Sequence, residues 1–216
     1  MGEIKIGKIV LGMCQTNCYF IYREGDKNDK GLIPTIVIDP ADQGAYLHRN
    51  LQNNGFDVAG ILLTHGHFDH IWGASEMRSL ASCKMYGSKL EEDVFTSSSL
   101  NVSAQAGKSC TVKVNELLKD GDVIEIAGMS ARLISTPGHT QGSCCFYFEE
   151  PGFLVSGDTL FAESVGRTDL PTGSMQSLVQ NIKKKLFVLP EETLVYPGHG
   201  DATTIGYEKK NNPFVV

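Results

Sequence analysis

Thr64-His65-Gly66-His67-Phe68-Asp69-His70 follows directly on the apolar run Ile61-Leu62-Leu63. The six positions from His65 to His70 hold four candidate metal ligands and three of the chain's six histidines. Histidine nitrogens and aspartate oxygens together suit a divalent cation such as zinc. His65 and His67 are two apart, so on a helix they would point to nearly opposite sides. They share one metal only if the backbone there is a loop or an extended segment. The run before them, Val58 to Thr64, is short and almost wholly apolar, as expected of a strand buried on both faces.

Three later segments repeat the form of an apolar strand followed by a turn. Leu133-Ile134-Ser135-Thr136-Pro137-Gly138 delivers His139. Phe153-Leu154-Val155-Ser156-Gly157 delivers Asp158, and Leu194-Val195-Tyr196-Pro197-Gly198 delivers His199. Strand ends aim side chains at one edge of a sheet, and Pro-Gly turns let backbones approach closely. The sixth histidine, His48, falls inside an expected helix and reads as a surface residue. The seven ligands His65, His67, Asp69, His70, His139, Asp158 and His199 exceed the four that one tetrahedral zinc uses. Two metals sharing a carboxylate fit that count. Cysteine is absent from these turns. A mixed His/Asp set leaves a position open for water, which favours catalysis over a structural role.

Strands are expected at Asn17–Tyr22 and Thr35–Asp39, joined by an exposed polar hairpin loop over 24–31. Helices are expected over Ala41–Asn54, Ile71–Leu80, Ser88–Phe95 and Met175–Leu186, the last closed by Pro190. Residues 97–110, rich in Ser, Asn, Ala and Gly, read as a loop bordering a site. Further strands fall at 123–126, 131–134, 143–148, 153–155 and 193–196. No low-complexity linker interrupts the 216 residues, so one α/β domain over 1–216 is the simplest account.

Composition narrows the function classes. A formal net charge of -6 gives no basic patch for nucleic acid. No apolar run approaches the roughly 20 residues that span a bilayer, and the N-terminus lacks a signal-peptide core. A cytoplasmic protein is expected, with Cys14, Cys18, Cys83, Cys110, Cys144 and Cys145 as free thiols.

The HxHxDH motif, followed in order by His139, Asp158 and His199, resembles the metallo-β-lactamase-fold superfamily over nearly the whole chain. The resemblance implies a four-layer αββα sandwich with a two-metal site at one edge of its sheets. It implies that His65, His67 and His139 hold one metal, that Asp69, His70 and His199 hold the other, and that Asp158 bridges them. Zinc is the expected metal, with iron or manganese as alternatives. Asp39 matches an aspartate that stands behind the ligands in that family; it also reads as a simple strand-terminal turn residue.

Asp158 separates this chain from the best-known β-lactamases of the fold and implies that antibiotics are not its substrates. With Gly157-Asp158-Thr159-Leu160-Phe161, Gly166-Arg167-Thr168-Asp169 and Pro197-Gly198-His199-Gly200, the chain is similar to short bacterial members of the glyoxalase II branch. That branch hydrolyses thioesters such as S-lactoylglutathione. The implied enzyme is a binuclear hydrolase whose cations activate a bridging hydroxide, with Asp69 available to orient it. Arg167 could bind an anionic substrate group or simply pair with Asp169. The chain ends 17 residues after His199, short of the helical extension that gives full-length glyoxalase II its glutathione contacts. A small-molecule thioester is therefore expected without a named thiol carrier. Two other chemistries are compatible with the fold. One is a persulfide dioxygenase with a single iron on His65, His139 and Asp158; the other is a lactonase.

Overall fold

The computed structural model describes residues 2–215. One sheet takes six strands in sequential order: β1 (Ile4–Leu11), β2 (Thr16–Arg23), β3 (Ile33–Ile38), β4 (Phe56–Leu63), β5 (Lys84–Ser88) and β6 (Glu116–Leu118). Its first three strands are antiparallel. From β3 onward the pairs are parallel, and helical crossovers supply the return paths. The second half of the chain forms β7 (Val123–Ile126), β8 (Met129–Ser135), β9 (Cys144–Phe148) and β10 (Phe153–Gly157). A short ribbon of β11 (Leu160–Phe161) and β12 (Ser164–Val165) follows, and then β13 (Leu194–Pro197) and β14 (Thr203–Thr204). The second sheet runs β14-β13-β10-β9-β8-β7.

Helices α1 (Gly44–Asn53), α2 (Phe68–Ile71), α3 (Ala74–Ala81) and α4 (Glu92–Thr96) belong to the first half, α5 (Met175–Asn181) and α6 (Ile205–Asn211) to the second. Three apolar clusters define the layers. Ile36, Ile38 and Leu62 meet Leu133, Phe146 and Val155 between the two sheets. Val37, Ile61 and Leu63, on the opposite face of the same strands, pack under Leu47, Leu51 and Met77 of α1 and α3. Ile134, Leu154 and Val195 pack under Leu178 of α5 and Ile182 in the turn beyond it. Strands with apolar side chains on both faces are what two covered sheets require, and the result is the expected αββα sandwich.

The local differences from the sequence expectation have identifiable causes. The helix expected over 71–80 is two helices broken at Gly73, whose N–H donates to the Pro40 carbonyl (2.9 Å); a Cβ there would meet that oxygen at 2.7 Å. The helix expected over 88–95 is the end of β5, one 3-10 turn at Lys89–Glu91 and then α4. The helix begun at Met175 continues beyond Asn181 as a π-type turn, Ile182–Leu186. His48 is not a surface residue. It is buried on the apolar face of α1 with Leu47 and Leu51, as its helical spacing from Leu51 allows.

Candidate metal centre

All four ligand-bearing turns open on one edge of the sandwich. His65 and His67 lie in the loop that leaves β4, and His67, in extended backbone, stands at the N-cap position of α2, a single turn that presents Asp69 and His70. Gly66 between them packs so closely on α4 that a Cβ would lie 2.8 Å from Val94 Cγ1. His139, Asp158 and His199 follow β8, β10 and β13. The β13 turn is fastened to the opposite sheet. The N–H of Asn17 donates to the Gly198 carbonyl (2.7 Å), and the Tyr19 hydroxyl donates to the Pro197 carbonyl (2.7 Å).

Two groups of side chains form within this edge. His67 Nδ1 lies 2.8 Å from His139 Nε2, which lies 3.2 Å from His65 Nε2. His199 Nε2 and His70 Nε2 lie 3.4 and 3.7 Å from Asp69 Oδ2. Asp158 reaches both groups: Oδ1 is 3.4 Å from His70 Nε2, and Oδ2 is 3.6 Å from His139 Nε2 and 3.5 Å from His199 Nε2. Two nitrogens on one tetrahedral zinc sit roughly 3.3 Å apart, given Zn–N bonds of about 2.05 Å. The spacings here fall close to that value.

The far side of each ring fixes which nitrogen faces inward. His139 Nδ1 is 2.7 Å from the Arg167 carbonyl, and His199 Nδ1 is 3.1 Å from the Cys14 carbonyl. Carbonyl oxygens only accept, so Nδ1 carries the proton and Nε2 offers its lone pair. His70 Nδ1 is 2.8 Å from Asp39 Oδ2. Asp39 is itself held by the Thr64 N–H (2.9 Å) and the Thr64 hydroxyl (2.6 Å), and that hydroxyl lies 3.1 Å from His65 Nδ1. Such outer partners fix ring orientation and raise ligand basicity. Asp39 thus sits behind His70 rather than merely ending a strand. Arg167 contributes its main chain here. Its guanidinium forms a two-pronged pair with Asp169, both contacts 2.7 Å, at the surface.

The two groups differ in charge. Burial, reinforced by the neighbouring imidazoles, lowers the pKa of His65 far below the ordinary value and that of His67 to about 3, and burial also lowers His139. Burial opposes the charge of His70 and His199 too, but the carboxylates beside them prevail. Asp158, Asp69 and Asp39 hold His70 well up, and Asp158 and Asp69 hold His199 at about 9. Asp158, although buried, is kept ionised far below the carboxylate range, chiefly by His70. One group is therefore a set of neutral lone-pair donors; in the other, the carboxylates favour a proton on His70 and His199, and a cation there would take the place of the Nε2 protons. Buried Nε2 atoms of His67 and His70 and Oδ1 of Asp158 have no hydrogen-bond partner. Those of His70 and Asp158 face each other across the cluster and, on residues of this chemistry, fit a bound cation; His67 approaches it through Nδ1 instead. His65, His67 and His139 form one possible ligand cluster, and Asp69, His70 and His199 another.

Glu91 is a residue that the sequence reading passed over. It is fully buried, and its two oxygens each accept a main-chain N–H, from Gly66 and from Gly142, both at 2.8 Å. One carboxyl group therefore ties the turn carrying His65 and His67 to the turn that follows His139. Burial raises its pKa to about 7 against the pull of Thr140 and the two N–H groups. A sequence signal existed: Glu91 shares a helical face with Val94 and Phe95, where a carboxylate is out of place.

A model of the metallo-beta-lactamase superfamily matches residues 11–199. The chain belongs to the metallo-beta-lactamase superfamily. Within this superfamily it is 32% identical over 207 residues to the hydroxyacylglutathione hydrolase GloC of Haemophilus influenzae, across 93% of each chain. The crystal structure of BLEG-1, a B3 metallo-beta-lactamase, superposes with a TM-score of 0.88 at 35% identity, across 98% of this chain and 100% of its own. A di-iron-bound form of TTHA1623 gives 0.81 at 32% identity, across 96% of this chain and 99% of its own. ETHE1 from Myxococcus xanthus gives 0.78 at 26% identity, across 98% of this chain and 84% of its own.

Proposed function

We propose that the protein is a binuclear metal-dependent hydrolase of thioesters. The observation that carries this reading is Asp158. Among the described residues it is the one carboxylate within 3.6 Å of ring nitrogens in both histidine groups, through His139 on one side and His70 and His199 on the other. His65, His67 and His139 would hold the first cation, Asp69, His70 and His199 the second, and Asp158 would be shared. Zinc suits the all His/Asp set, and the likeness to di-iron TTHA1623 keeps iron in consideration. Two bound cations would supply a water acidic enough to ionise near neutral pH and positive charge opposite a developing oxyanion.

The chain's own groups supply the rest. Asp69, whose Oδ2 accepts from the Thr16 hydroxyl at 3.1 Å, would orient the attacking water. Asp39 and the Arg167 carbonyl keep His70 and His139 in the tautomer that faces inward. A thiol leaving group has a pKa near 8.5 and departs without help, which suits a site whose inward-facing histidines are all committed to the cluster. The likeness to GloC supports the thioester in particular, and the net charge of -6 accords with a small-molecule rather than a nucleic-acid substrate.

Metal analysis of the purified protein, followed by assays of zinc- and iron-loaded enzyme, tests the reading. The expected outcome is two metals per chain and hydrolysis of thioesters, S-lactoylglutathione among them, in preference to a chromogenic β-lactam. Fewer than one metal per chain, or β-lactam turnover without thioester turnover, would overturn it. The likeness to ETHE1 favours one further reading, a persulfide dioxygenase with a single iron on His65, His139 and Asp158. Oxygen uptake with glutathione persulfide under ferrous loading decides between them.

A further inference from the structure

The space beside the metal centre has its own chemistry. A cavity of about 510 Å³ opens over Asp69, His139, Asp158 and His199, and Phe68, Val102, Phe161 and Leu170 form its apolar wall. Resting on the thioesterase reading, we propose that this wall binds the acyl half of the substrate, and that the acyl group is apolar and uncharged.

The first support is Val102. Its φ is 66°, in the left-handed region that β-branched residues almost never occupy. Such a residue persists only where its surroundings over-determine it, and such strain collects at ligand-binding positions. Both neighbours are clamped. Asn101 and Ser103 are fully buried, the Asn101 carbonyl accepts from the Phe68 N–H at 3.0 Å, and the Asn101 side chain and Ser103 hydroxyl both donate to the Cys110 carbonyl. Glycine would satisfy the same backbone without strain. What valine adds is an isopropyl group on the cavity wall.

The second support is rigidity and charge. Phe68 packs against Trp72 with ring centroids 4.7 Å apart, and Trp72 donates to the Lys108 carbonyl at 2.9 Å, so the wall is held from behind. Arg167, the cationic side chain on the cavity rim, is neutralised by its two-pronged pair with Asp169. Outside the metal cluster, no uncommitted cation among the described residues lines the cavity to meet a carboxylate or phosphate. A charged thiol carrier therefore extends toward solvent, and the uncharged acyl chain takes the wall.

N-acetylcysteamine thioesters remove carrier charge from the question. The zinc-loaded enzyme is assayed with acetyl, butanoyl, hexanoyl, lactoyl and succinyl thioesters. Each buried methylene should raise kcat/KM about fourfold, so hexanoyl, four methylenes longer, should exceed acetyl by about 250-fold. Succinyl should fall at least about tenfold below butanoyl, which has the same number of carbons. Val102→Gly should lower the hexanoyl-to-acetyl ratio about tenfold, mainly through KM for hexanoyl, and should melt no lower than wild type because the strain is relieved. Leu170→Ala should lower the same ratio. General damage would lower both substrates together and leave the ratio intact. A flat series, a preference for lactoyl or succinyl, or an unchanged ratio in both variants overturns the acyl assignment while thioester hydrolysis stands. No turnover of any thioester removes the thioesterase reading and this inference with it.

Discussion

Glu91 concentrates the chemistry of the fold in one side chain. A buried carboxyl group with a pKa near 7, raised from 4.5, binds its proton more tightly folded than unfolded. Between those two values the folded state holds the extra proton, so stability must fall as pH rises. The contribution is fully present below about pH 4.5 and is lost as pH passes 7. A shift of that size corresponds to on the order of 3 kcal/mol. Glu91→Gln cannot ionise, so urea midpoints of zinc-loaded wild type and variant should converge between pH 5 and 8 as wild type weakens. Curves that stay parallel would show that Glu91 does not titrate in this range. The same residue marks the limit of the sequence. His65 and its neighbours were legible because ligand types crowd one turn after an apolar strand. The clamp made by Glu91 was not, because its partners Gly66 and Gly142 are remote in sequence and contribute only main-chain N–H groups.

Among the elements, strand ends followed by glycine turns carried the candidate site, and these were readable from period and turn chemistry. The helix break at Gly73 was not, since it depends on the carbonyl of Pro40 across the fold. The roles expected for Asp39 and Arg167 also needed the third dimension: one stands behind His70, and the other offers a carbonyl to His139 while its guanidinium is engaged elsewhere. The β13 turn shows how little room such elements leave. A Cβ on Gly198 would stand 2.2 Å from Asp158 Oδ1 and 2.7 Å from His70 Cε1. Gly198→Ala should therefore lower zinc bound per chain and reduce thioester turnover by more than about a hundredfold. Gly200, two residues on, has φ 75° and nothing within 4 Å of a Cβ. Gly200→Ala should cost about 1 kcal/mol of stability and keep its metal. Equal metal content in the two variants, read by elemental analysis, would contradict this account.

Across the whole molecule, the ligand set draws on both sheets. His65, His67, Asp69 and His70 follow β4 of the first, and His139, Asp158 and His199 follow three strands of the second. A cation bound there joins the two layers and stabilises only the folded chain. At a free concentration a thousand times its dissociation constant it adds about 4 kcal/mol. For a chain of this size that corresponds to roughly 10 °C in Tm. Chelation should lower Tm by about that amount and zinc should restore it, as followed by calorimetry. An unchanged Tm would mean that the residues do not share a tightly held metal.

The bonds from Asn17 and Tyr19 to the Pro197–Gly198 turn span about 180 positions of the chain. During synthesis the first sheet can form early, with His65 and His67 already in place. The position between Asp69, His70 and His199 does not exist until the last strands have emerged and closed on β2. A nascent or truncated chain would therefore offer half a site. A cation that needs His199 could be held only after β13 and the turn behind it have been made.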